Sequence, residues 1–235
     1  MKLPRLLLAA SLALAVTGSA LAGNTSRAQT WLASYYQDPQ PAQLPKAVHG
    51  LSREGYFEGD GQPAQAIGFF STVFASNSGL VDYWFSQFRT LPVRHQRVLA
   101  SALWYAGDPR GESMLREMSI HSSPEVRDSI DRLLASNARP IVKTPVLSES
   151  SMNLQWGAFL ASGREEHITN ILAAVGSGQP GLHEAARISL AMNAATHNRV
   201  MEICRTQLDK QPNEVRSMLR AALNEAETQR KPGSI

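Results

Sequence analysis

One cysteine, Cys204, stands in a chain of 235 residues, so no intramolecular disulfide can form and packing alone must hold the fold. Lys and Arg are never gathered into a dense run, which removes the electrostatic footprint of a nucleic-acid binder. Six histidines (His49, His95, His121, His167, His183 and His197) are scattered without a His-x-x-x-His pair, so no metal-ligand set is expected and each reads as structural or surface. A Gly-x-Ser-x-Gly elbow, a Ser-x-x-Lys pair, a phosphate-cradling glycine loop and a dinucleotide fingerprint are all missing, and no cofactor is expected. Strand-like alternation is absent, and no aromatic residue follows Phe159.

Apolar runs are short. The longest, Leu6 to about Val16, follows a basic start (Lys2, Arg5), precedes Ala20-Leu21-Ala22, and falls below the ~20 residues of a spanning helix. That pattern predicts a cleaved secretory signal peptide over 1–22, cut between Ala22 and Gly23, and a periplasmic or secreted protein. No cysteine follows the run, so no lipoprotein anchor is expected. Cleavage removes two of the 23 basic residues, leaving 21 against 20 acidic, a near-neutral chain with no reason to seek an anionic membrane.

What remains is helix after helix. Ile67, Phe70, Val73 and Phe74 share one side of a segment over 64–75, whose Gly68 offers a neighbouring helix a close approach. Leu80, Trp84, Phe85 and Phe88 form the stripe of the next. Ser122 with Glu125 has capping-box spacing ahead of a helix at Pro124. Cys204 shares a face with Val200, Ile203 and Leu208 and reads as a small buried hydrophobe. About twelve helices are expected, in an all-α fold of stacked antiparallel pairs forming a short α-solenoid or helical-repeat bundle. Pro140 and Pro145 interrupt the pattern, so 139–150 is read as an extended connector between an aromatic-rich N-terminal half over 23–138 and a C-terminal half over 151–235.

Val98 to Ile120 gives the plan of the building unit: helix, a corner at Ala106-Gly107-Asp108-Pro109, helix. Matching corners at Ala75, Ala106, Ala161 and Ala195 are separated by 31, 55 and 34 residues, the longer interval holding an extra helix and the connector. Units of this length resemble tetratricopeptide-type and related α-solenoid repeats. Ala66 and Phe70 match the Ala-x3-Phe spacing of the tetratricopeptide second helix, whereas Val73 and Ser78 replace the expected Ala and Pro, and the first-helix Trp/Leu/Gly/Tyr set is absent. The chain also resembles an uncharacterised family of exported bacterial proteins. Neither resemblance supplies ligand residues.

Seven of the sixteen aromatics lie between Phe69 and Phe88. Most repeat at core spacing, and Phe69, Tyr83, Trp104 and Tyr105 are the candidates for lining a binding groove, because aromatic side chains bury much area at little entropic cost. Catalytic candidates reduce to one: Ser148-Glu149-Ser150 resembles the Glu-Ser pair of soluble lytic transglycosylases, although the Gly-Leu-Met-Gln-like element is unmatched and helix capping explains the serines. The expected function is therefore binding of a protein or peptide partner without catalysis. The alternatives are an envelope-polymer hydrolase using Glu149 as acid, or a periplasmic immunity or inhibitor protein. Oligomeric state is left open.

Overall fold

In a computed structural model, residues 26–136, 140–176 and 180–230 are described; the signal-peptide expectation over 1–22 lies outside them. Twelve α-helices and three short 3-10 turns are found among the described residues, with no strand among them. Among the described residues no helix is long and apolar enough to cross a membrane.

Two helices form the centre because their sequences are apolar on every face. These are α3 (Gln62–Ser76) and α8 (Glu149–Ser162). Along α8, Met152 and every residue from Leu154 to Ala161 are buried. Such helices need neighbours all round. They cross at glycines: a Cβ on Gly68 would lie 1.9 Å from the Leu154 carbonyl oxygen, and one on Gly157 1.9 Å from that of Gln65. The two backbones are thus in direct contact, which only glycine permits. The close approach expected at Gly68 is made by a helix from the other half of the chain.

From this seam the chain grows outward in two directions. On one side α3 packs on α5 (Val93–Ala106), and α5 on α7 (Pro124–Leu134), with α6 (Pro109–His121) against both α5 and α7. On the other side α8 touches α10 (Pro180–Thr196), which packs on α12 (Asn213–Arg230). Here α9 (Glu165–Val175) and α11 (Asn198–Gln207) form the second layer. The remaining helices, α1 (Arg27–Ser34), α2 (Leu44–Arg53) and α4 (Val81–Phe88), close over the N-terminal side. The four aligned corners fall at the ends of α3, α5, α8 and α10, all members of the central row. The spatial order is α7–α5–α3–α8–α10–α12, so two arms share one origin in place of a single stack in chain order.

Local signals set the joints. Gly107 takes the left-handed conformation (φ 68°) that ends α5, and the Asp108 side chain accepts from the Arg110 amide at 2.8 Å to start α6. At α7 the expected capping box does not form. The N-cap is Ser123, which places Glu125 one position too early to reach back, while Ser122 ends α6. A capping box does form at α8, between Ser148 and Ser151.

The connector returns from α7 to the seam. Ile141 packs on Leu154 and Ala158, and the fully buried Gln155 donates from Nε2 to the carbonyls of Ile141 and Thr144, each at 2.8 Å. Gln155 Oε1 must then accept, so His167 donates to it from Nδ1 at 2.8 Å. Burial lowers the His167 pKa to about 4. Cys204 is buried, and burial pushes its thiol up to about 12.

Candidate binding groove

The two arms differ at their surfaces. Between α4 and α6 the chain leaves an open hollow of about 620 Å3, with α5 as its floor. Its depth has a local cause. α4 buries Val81, Trp84, Phe85 and Phe88 toward the core and packs on α2, so it stands away from α6. Phe74 meets the Trp84 and Phe85 rings at 5.9 and 5.4 Å and fixes that position. A small second hollow shares Asp82 and Met114 with the first and extends it toward Leu103, Ala106 and Arg110.

The lining is mixed, with a charged edge. Half-buried Val93, Met114 and Met118 supply its hydrocarbon and thioether surface, with the buried Phe85, Phe88 and Leu99 behind them. Asp82 and Arg89 stand on the α4 rim, with Arg110 and Glu117 on the α6 rim, and all four are exposed. None of the four enters an ion pair among the described residues. Ser86, Gln96, His121, Ser122 and Ser123 complete the lining, so the hollow is a mixed surface that joins apolar contact to polar groups.

The four aromatic candidates are not brought together. Phe69 is fully buried, with ring centroids 5.3 Å from Tyr35 and 5.6 Å from Trp31, because α1 covers the face of α3 that carries it. It presents nothing to a partner in this arrangement. Tyr83 is 59 % exposed on the outer shoulder of α4, beside the groove-lining Asp82. Trp104 is half-buried and lines a separate hollow of about 220 Å3 at the Gly107–Pro109 corner. Tyr105, edge-on to Trp104 at 4.7 Å, packs against the connector at Ile141, and burial raises its phenol pKa. The groove residues the sequence reading passed over are Met114, Met118 and the four rim charges. Their signal was available as Met114 and Met118 four apart and opposite charges seven apart.

A second arrangement was hidden in the sequence. His95, only 2 % exposed, holds Ser52 Oγ 2.8 Å from Nδ1 and Glu58 Oε1 3.2 Å from Nε2, and Arg94 joins the same carboxylate at 3.3 Å. Serine, histidine and acid stand in relay order. Acyl transfer also needs a hollow for the acyl group and paired donors for its oxyanion. None of the clefts described here is lined by Ser52, whose carbonyl accepts the Gly55 amide in the turn that ends α2. The contact ties α2 and its following turn to α5.

Glu149 is exposed in the first turn of α8, within the segment capped by Ser148, and lines none of these clefts. Among the described residues no group of three or more His, Cys, Asp or Glu side chains could hold a metal ion. No family model, curated protein or solved structure matches the chain.

Proposed function

We propose that the protein binds another protein or a peptide in the groove between α4, α5 and α6, without catalysis, and that it works in the periplasm or outside the cell after loss of residues 1–22. The observation that carries the reading is a hollow of about 620 Å3 that offers half-buried Val93, Met114 and Met118 and is edged by charges that lack ion-pair partners among the described residues. Helical repeats commonly offer such surfaces for recognition. Exposed Tyr83 on the α4 shoulder adds an aromatic anchor at the rim. An immunity or inhibitor role is the same reading with a toxin as the partner.

The test is affinity capture of the tagged, exported protein alongside Met118→Glu, whose half-buried side chain lines the groove. A partner retained by the wild type and lost from the variant, with unchanged helical content, supports the reading. A partner that both capture equally contradicts it. Turnover of peptidoglycan by the wild type, abolished in Glu149→Gln, would favour the hydrolase instead. N-terminal sequencing of exported protein is expected to begin at Gly23, and an intact Met1 would refute cleavage.

A further inference from the structure

We infer that α6 carries a binding site for a soft monovalent cation, Cu(I), formed by the thioethers of Met114 and Met118 and the imidazole of His121. The three stand at positions i, i+4 and i+7 of α6, and all line the hollow of about 620 Å3. At 3.6 residues per turn they fall within about 60° of one helical face. Met114 and His121 lie ~10 Å apart along the axis, at about 1.5 Å per residue, with Met118 between them. An unbranched thioether with three rotatable bonds can turn its sulfur along the helix, so side-chain rotation gathers the donors at the Met118 level. The site stands apart from the partner reading: it needs no bound partner, and its failure leaves that reading intact.

The surroundings distinguish these side chains from others of their kind. Met152, Met201 and Met218 are buried and fill the core, whereas Met114 and Met118 are half-buried at the edge of an open hollow. His49, His95, His167 and His197 each hold a hydrogen-bond partner. The exposed His121 side chain makes no hydrogen bond or ion pair among the described residues, so a ring nitrogen is available as a ligand. Packing on α5 explains hydrocarbon at positions 114 and 118. It does not explain an uncommitted imidazole three residues on, along the same face.

The donor set chooses the metal. Thioether sulfur is soft and selects Cu(I), imidazole accepts copper as well as zinc, and carboxylate sets suit magnesium and calcium. Two of the three donors are thioethers, so the set is distinct from the His, Cys, Asp and Glu groups that hold harder ions, of which the described residues have none. Three neutral donors leave the bound ion its positive charge. Asp82 and Glu117 line the same hollow against the single cation Arg89, so the lining is net negative with His121 neutral and favours a cation.

Titration of the purified protein with Cu(I), kept reduced by ascorbate under argon and competed against bicinchoninate, tests the site. One Cu(I) per chain is expected, with sulfur and nitrogen neighbours in the copper X-ray absorption fine structure. Met114→Leu with Met118→Leu conserves packing volume. Because even a ligand's supporting partner is worth ~10-fold or more in metal affinity, losing both thioethers should weaken binding by at least about that factor. His121→Gln should also weaken it and remove the nitrogen neighbour; being at an exposed position, it keeps the test decisive even if the leucine pair disturbs packing. Cys204→Ala, in α11, and Met192→Leu, in α10, should leave binding unchanged. A wild type that binds no Cu(I), or binding that survives both the leucine pair and His121→Gln, overturns the site. Binding abolished by Cys204→Ala puts the metal on the thiol and overturns it too. Displacement of Cu(I) by equimolar Zn(II) contradicts the soft-metal assignment.

Discussion

Gln155 is the side chain on which the connector depends. Fully buried, it satisfies two connector carbonyls and accepts from His167, so Gln155→Leu would take the partner from His167 Nδ1 and from the Thr144 carbonyl, while the Ile141 carbonyl keeps the Thr144 amide. Each orphaned group costs ~1–3 kcal/mol, and a loss of roughly 2 kcal/mol or more is expected in urea denaturation. His167 and His197 extend the residue-scale picture to pH. Burial holds both near 4 in the folded chain, aided at His197 by Arg230, against an ordinary value of 6.5. Between those values the unfolded chain binds protons that the folded chain refuses, so stability is full above pH 6.5 and falls as pH drops toward 4. The loss is on the order of 3 kcal/mol per histidine, from ~1.4 kcal/mol per pKa unit. Urea midpoints measured from pH 7.5 to 4.5 should fall accordingly, and His167→Gln should flatten part of the slope. A flat profile in the wild type would contradict the burial of both rings.

At the scale of the element, the crossing of α3 and α8 decides whether the molecule assembles. A methyl group at Gly68 or Gly157 would meet backbone at 1.9 Å, and backbone cannot step aside as a flexible side chain can. Gly68→Ala and Gly157→Ala are each expected to cost roughly 3 kcal/mol or more, by forcing the helices apart. Gly79→Ala, where an added Cβ meets nothing within 4 Å, should change stability by less than ~0.5 kcal/mol. Equal effects at Gly79 and Gly157 would contradict the contact. The helices themselves were legible in the sequence, because apolar spacing, the Gly107 stop and the Asp108 cap are local signals. Their mutual arrangement was not. Gly68 could be recognised as a point of approach, but nothing near it in sequence says that Leu154 and Gly157 are what approaches. Phe69 misled for a related reason: its neighbours mark a core stripe, and only α1 crossing behind α3 buries the other side as well.

Across the whole molecule, the seam makes one cooperative unit from two arms. A single apolar cluster runs from Ala28 in α1 to Ala226 in α12 through Phe69, Trp156 and Leu190. Thermal unfolding followed by tryptophan fluorescence is therefore expected to coincide with that followed by circular dichroism. The fluorescence reports α1, α4, α5 and α8, where all four tryptophans lie, and the dichroism reports every helix. Two separated transitions would show the arms to be independent. The candidate site was less legible than the fold, because a groove is the space left where α4 and α6 fail to meet. Periodicity within either helix identifies the buried stripe but not that separation, so aromatic content drew attention to Phe69 and Trp104 instead of Met114 and Met118. The claim that this space is the working surface is tested most directly by amide hydrogen exchange on the protein with its captured partner bound. Added protection is expected in α4, α5 and α6, from Val81 to His121, and protection confined to α9 through α12 would contradict it.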